Sequence, residues 1–338
     1  MRKEENQGWK ENPALVSVII PVYDTEPYLP GCLDSVLNQT YANMEVLCVD
    51  DCSLDRSYEI LQHYQAQDPR VFVFRNHRNQ GASGARNEAL KHIRGKYVWF
   101  VDSDDTMEPG FLEFLVEKIS VTNADAVVTR SLLMVSANGT RLFASPAFSK
   151  VPSDVLIDAK AYCADIPVFL YTKIFRSDII RAHDLTFSTS LSTAEDNLFH
   201  YEYFAWADKV LVSSGPYYHY HRRRDSLTSD YAEVIKNSCL SCDAIYDYYE
   251  KEKLLDNQIN LCGHLAFFLI ETPELYDRYK RCFSKLVNHM NMYPDAYLKK
   301  EHDIVKALLA SPDYEAFVKL PVYRVFKVFN AGIMKDNS

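Results

Sequence analysis

No run of about eighteen apolar residues occurs anywhere in the chain, so no helix is expected to span a bilayer. Positive charge is also short. The 37 Lys and Arg face 46 Asp and Glu, a net charge of −9, which argues against the basic face that a nucleic-acid binder needs to neutralise phosphates. Two nucleotide-binding fingerprints are missing: no G-x-G-x-x-G follows the first apolar run, and there is no G-x-x-x-x-G-K-S/T. Their absence counts against dinucleotide-dependent dehydrogenases and P-loop enzymes. Eight cysteines stand at 32, 48, 52, 163, 239, 242, 262 and 282. Cys239 and Cys242 form a C-x-x-C, but no second pair lies at zinc-ligand spacing, and they read as neighbours on one helix face. Residues 1–12 are charged and polar rather than a secretory signal, so a reducing cytoplasm is the expected location. There is no internal repeat and no low-complexity tract.

With 338 residues, 47% of them hydrophobic, the chain has enough material for a large α/β domain with an appendage, or for two domains. Val16 to Ile20 is a β-branched run closed by Pro21 and reads as a buried strand. Leu29, Cys32, Leu33, Val36 and Leu37 follow at helical spacing. Glu45 to Val49 is a second strand, 57–67 a helix, 71–74 a third strand, 82–93 a helix, and 96–101 a fourth strand. This rhythm predicts a mostly parallel sheet with helices on both faces, whose ligand crevice lies beyond the carboxyl ends of the strands. Further strands are expected within 125–145, with a hairpin turn at Asn138 and Gly139. Beyond about residue 230 Gly and Pro thin out, and 232–250 and 259–271 look helical.

Acidic clusters fall at two of those strand ends. Asp102, Ser103 and Asp104 form an acid-x-acid turn after an apolar strand. Such carboxylates suit Mn²⁺ or Mg²⁺, which takes hard oxygen ligands and keeps positions for phosphate oxygens. A solvated turn capping the next helix explains the same residues. Asp50 and Asp51 end the second strand beside Pro21 and Tyr23. A carboxylate there is suited to a pyrimidine imide N–H, and turn chemistry is the alternative. Glu195 and Asp196 suit general-base work on an acceptor hydroxyl, or simply a helix start favoured by the dipole. His219 to Ser226 is the dense basic run of an acidic chain; arginine forks there suit phosphate oxygens, and a solvated loop explains the same residues.

Together these segments resemble the inverting glycosyltransferase family 2, of the glycosyltransferase-A fold. The carrying residues are Val16 to Tyr23, Tyr28 and Leu29, Cys32 to Thr40, Val49 to Asp55, Asn79 to Gly81, Ala85 to Asn87 and Phe100 to Asp105. The likeness is dense over 14–120 and thinner to about 228. It implies that Asp51 contacts the nucleotide base, with Pro21 and Tyr23 as walls of that site. Arg86 is implied near the nucleotide, Asp102 and Ser103 on the donor side, and Asp104 as metal ligand, with Asp102 and either His221 or His219 as further candidates. It also implies Asp196 as the base, Glu195 as its neighbour that orients it or meets the acceptor, and His221 and Arg223 on the diphosphate. Lys173 falls where the family shapes its acceptor pocket. The chain departs from the usual pattern at Asp24, where Asn is common, and at Cys52 and Ala89, where Gly is common.

The expected organisation is a catalytic domain over 14–230, with 14–130 the nucleotide-sugar half and 131–230 the acceptor half, followed by a helical region over 231–338. The expected partners are a nucleotide-sugar donor, most simply a UDP-sugar, and a glycan or lipid-linked acceptor in bacterial surface-polysaccharide synthesis. The aromatic and basic segment Tyr323 to Phe329 suits peripheral contact with anionic lipid at the inner face of the plasma membrane; a core helix or a contact between copies suits it equally. Two competing functions remain. A sugar-1-phosphate nucleotidyltransferase normally opens with a Gly-rich loop that 20–31 lacks. Against a non-catalytic nucleotide-sugar-binding protein stands the joint retention of Asp51, Asp102, Asp104 and Asp196.

Overall fold

The computed structural model describes residues 8–136, 141–143, 153–163 and 166–222, together with 237, 240–241, 244–245, 247–254, 306–307 and 309–320. The chain divides into two compact units: Met1–Ala159 with Ile166–Asn237, and Lys160–Asp165 with Ser238–Ser338.

In the first unit a short helix α1 (Gly8–Glu11) precedes β1 (Val16–Val22), α2 (Leu29–Leu37), β2 (Met44–Asp50), α3 (Ser57–Gln67), β3 (Val71–Arg75), α4 (Gly81–Leu90) and β4 (Tyr97–Phe100). Then come β5 (Thr106–Met107), α5 (Phe111–Thr122), β6 (Ala126–Thr129), β7 (Leu132–Val135), β8 (Arg141–Phe143) and β9 (Val155–Asp158). After the short α6 (Ala159–Tyr162) follow β10 (Lys173–Arg176), α7 (Ser177–Ala182), α8 (Glu195–Trp206), β11 (Lys209–Ser213) and β12 (Tyr218–His221). In the second unit the described residues include helix at 247–251 and at Tyr314–Val318. The Asn138–Gly139 turn, 259–271, Cys239, Cys242, Arg223 and Tyr323 to Phe329 lie outside the described residues.

An eight-stranded sheet runs β3-β2-β1-β4-β10-β6-β11-β9. Its β3-β2-β1-β4 half is parallel throughout, and β6 and β11 are also parallel. Strand β10 enters antiparallel between β4 and β6, and β9 closes one edge antiparallel to β11. The central strands are buried on both faces, as near-continuous Val, Ile and Leu runs require. A second sheet, β5-β12-β7-β8, brings 218–221 against 106–107.

Two local expectations shift. Strand β1 does not stop at Pro21; it runs to Val22, with Pro21 in register with Val49. Asp51 N–H donates to Val22 O on the β2 side, whereas Val101 N–H donates to Ile19 O on the β4 side. By alternation the nitrogen of Pro21 faces β4, two residues past the last β1–β4 pair at Ile19, so no ladder bond is lost. Helix α4 stops at Leu90, short of 93. The amides of Arg94 and Gly95 are taken by the buried Glu45 carboxylate and by Ser17 Oγ, at 2.7 and 2.9 Å. That carboxylate, at the amino ends of the strands, is fully engaged by Ser17, Arg94 and the backbone. It serves structure; Asp51, Asp102, Asp104 and Asp105 lie just beyond the opposite ends of β2 and β4.

Candidate active site

Loops beyond β1 and β2 lock together first. Asp24 Oδ1 accepts from Leu54 N–H at 2.7 Å, Asp24 N–H donates to Ser53 Oγ, Thr25 N–H to Ser57 Oγ, and Glu26 N–H to Asp55 Oδ2. Asp24 and Cys52 both sit at positive φ, +48° and +67°. These are two of the three departures from the family pattern, standing where Asn and Gly, the residues best suited to left-handed backbone, are common. Pro21 is half-buried at this edge and Tyr23 is 42% exposed.

Asp51 is buried. Its carboxylate accepts from Asn76 Nδ2 at 2.6 Å and from the Gln80 N–H at 3.0 and 2.9 Å. It therefore fixes the turn that launches α4. Neighbouring Asp50 is fully buried, with Arg75 Nε 2.9 Å from Oδ2 as an ion pair. Helix α4 then presents Arg86 and Asn87. Asn87 makes a reciprocal pair with the Phe187 backbone, at 2.8 and 2.7 Å. Arg86 is 6% exposed; its Nη2 donates to Asp102 Oδ1 at 3.0 Å and its Nη1 to Glu195 Oε1 at 2.7 Å. The guanidinium also lies 5.3 Å from the Phe187 ring centroid.

Asp196 follows Glu195 on the first turn of α8. That helix is pinned at its far end, where Tyr203 Oη donates to Asp125 O and accepts from Arg176 N–H. In the middle, Phe199 stacks on Phe187 at 4.2 Å and meets Phe100 edge-on. Ala194, just before the acidic pair, holds φ +61° without a side-chain cap, the kind of strain that the surrounding packing must impose. Desolvation and the adjacent Glu195 carboxylate push the Asp196 carboxyl up to about 7, against the pull of Arg86, the Asn197 N–H and Lys173. A carboxylate poised there is matched to proton abstraction near neutral pH. Lys173 is wholly buried at the start of β10, and its ammonium donates to Phe169 O.

The acidic turn itself is clasped by the second sheet. Buried Asp105 accepts from Tyr218 Oη at 2.9 Å and from the His221 N–H at 2.8 Å. Tyr218 Oη also accepts from the Asp102 N–H, and the Cys32 thiol donates to Asp102 O at 3.4 Å. Burial, then Asp104 and Asp102, hold the Asp105 carboxyl well above the usual range. Ser103 is buried. His221 Nε2 lies 3.0 Å from Thr106 Oγ1, and burial followed by His219 lowers its proton affinity. Asp105, Tyr218 and Asn76 had been given no role from sequence. Asp105 lay inside a quoted motif, but nothing local foretells that a tyrosine 113 residues away binds it.

The turn carries three carboxylates, Asp102, Asp104 and Asp105, and Mg²⁺ and Mn²⁺ take hard oxygen ligands of this kind. Among the described residues no three His, Cys, Asp or Glu side chains are grouped to hold a metal ion by themselves. A cation on Asp104 would take its other ligands from substrate phosphates and water, the usual habit of Mg²⁺. So the structure joins Asp102, Arg86, Glu195 and Asp196 in one cluster, ties His221 to the same turn through Asp105, and holds Asp51 at the root of the helix that carries Arg86. Arg223 falls outside the described residues.

The glycosyl transferase family 2 profile matches residues 17–146. EpsH of Bacillus subtilis is 31% identical over 235 residues, covering 68% of this chain and 67% of that protein. The chain belongs to glycosyl transferase family 2. Poly(ribitol-phosphate) beta-glucosyltransferase of Bacillus spizizenii is 33% identical over 215 residues, 62% of this chain but 32% of the relative, so the chain matches about a third of that longer protein. The crystal structure of S. aureus TarS 1-349 in complex with UDP-GlcNAc superposes with a TM-score of 0.61 at 22% identity, covering 89% of each chain. At that identity the likeness shows the fold alone, which is of the glycosyltransferase-A type. No helix among the described residues is long and apolar enough to cross a membrane.

Proposed function

We propose that this family 2 glycosyltransferase moves a sugar from a UDP-sugar to a hydroxyl of a growing glycan, with inversion at the anomeric carbon, in bacterial cell-surface polysaccharide synthesis. The observation that carries this reading is the Arg86 bridge, which puts the acidic turn and the Glu195–Asp196 pair in one cluster. Relatives named for glucosyl or N-acetylglucosaminyl transfer to poly(ribitol-phosphate), and the UDP-GlcNAc complex of TarS, support the donor and the polymer class.

In this account Asp51 and the edge of β1, with Pro21 and Tyr23, frame the uracil, and Asp102 with Ser103 borders the ribose and donor sugar. Asp104, together with His221, would hold Mn²⁺ or Mg²⁺, which when bound neutralises the charge that grows on the leaving diphosphate. Arg223 adds to that neutralisation. Asp196 takes the proton from the acceptor hydroxyl as the new C–O bond forms. The bond from the anomeric carbon to the diphosphate oxygen breaks, and its electron pair leaves with UDP. A single displacement from the face opposite the leaving group inverts the centre.

The test is Asp196→Asn, assayed for UDP-sugar binding by calorimetry and for transfer by product formation. Binding is expected to survive while transfer falls by about 10²- to 10⁴-fold, the usual contribution of a general base. Wild-type turnover in the variant would remove Asp196 from this role.

A further inference from the structure

Arg86 touches carboxylates from both functional halves of the site. It arises on α4 and is 6% exposed. It spans from Asp102, on the turn after β4, to Glu195, on the first turn of α8, a residue 109 positions away in sequence. A planar fork held by two charge-assisted bonds fixes the separation and the angle of the groups it joins. Its Nε–H finds no partner among the described residues, so the two carboxylates set its aim. The charged and titratable groups facing Asp196 are Glu195 on its own helix, Arg86 from α4, Lys173 from β10 and Tyr171 from the turn before β10.

We propose that Arg86 is a positioning residue that couples the donor side to the acceptor side: one guanidinium holds Asp102 and Glu195 at fixed distance and, through its charge, tunes Asp196 as a proton acceptor. This rests on the reading of Asp196 as the base. The signs follow from electrostatics. The Arg86 cation favours the charged form of Asp196, and the Glu195 anion opposes it. Removing either charge therefore moves the acidic limb of the pH–rate profile, in opposite directions.

The experiment measures transfer from UDP-sugar against pH for the full chain carrying Arg86→Gln, Arg86→Lys, Glu195→Gln or Asp196→Asn, with folding checked by circular dichroism. Arg86→Gln is expected to move the acidic limb up, and Glu195→Gln to move it down, each on the order of one pH unit. Arg86→Lys keeps the charge and loses the fork, so it should leave the limb in place while kcat falls. A residue that only supports packing would lower activity without moving the limbs apart. If Arg86→Gln does not fold, Glu195→Gln and Arg86→Lys decide the matter. Unmoved limbs with an inactive Asp196→Asn overturn the coupling alone. Wild-type turnover by Asp196→Asn overturns the reading of the base instead.

Discussion

Asp196→Asn carries a second consequence, for stability, that is opposite in sign to its effect on transfer. The Asp196 carboxyl is raised from 3.8 to about 7 in the folded protein, first by desolvation and then by Glu195. Below pH 3.8 the group is protonated whether the chain is folded or not, and it contributes nothing to the pH dependence. Between pH 3.8 and 7 the folded state binds the extra proton, so the folded state loses ground as pH rises. Above about pH 7 the whole cost is present. Its ceiling is the shift of about three units at 1.36 kcal/mol each, or about 4 kcal/mol. An asparagine avoids that cost while still accepting from the Asn197 N–H. Urea unfolding at pH 5 and pH 8 should therefore show the variant gaining on the wild type as pH rises, by about 1 kcal/mol or more between the two conditions. An equal difference at both pH values would refute the claim that a charge is held at the mouth of α8 against its environment.

Cys52→Gly removes a Cβ from backbone at φ +67° and should stabilise the protein by about 1 kcal/mol in the same unfolding assay. Tyr218→Phe takes a hydrogen bond from buried Asp105 and the acceptor from the Asp102 amide; the loss should be about 1–3 kcal/mol, with weaker UDP-sugar binding because the acidic turn is less firmly held.

The parallel half of the sheet was legible because each strand is a short β-branched or aromatic run broken by turn chemistry, and because Asp50–Asp51 and Asp102–Asp105 mark where the strands end. Strand β10 was not. It opens on Lys173, a charged residue in a stretch without strand alternation, and the ammonium is buried against Phe169 O. The strand pattern placed Asp51, Asp102 and Asp104 just beyond strand ends, and the helix-start reading of Glu195 and Asp196 matches the first turn of α8. Neither revealed that Asp51 organises the turn before α4, or that Arg86 joins two distant carboxylates. Those are pairings across folded chain, and no spacing in the sequence encodes them. Cys52 and Asp24 are a further case. Their departure from Gly and Asn falls on two left-handed turns, at φ +67° and +48°, which no spacing in the sequence announces.

The proposed transfer requires the acidic turn to bind the donor through a divalent cation. Titration calorimetry of UDP-sugar into the wild type and Asp104→Asn, each with Mn²⁺ and with chelator, tests that most directly. Tight binding that needs Mn²⁺ in the wild type, and that weakens at least about tenfold in the variant, a loss of about 1.4 kcal/mol or more, is the predicted result. Equal affinity in all four titrations would contradict it.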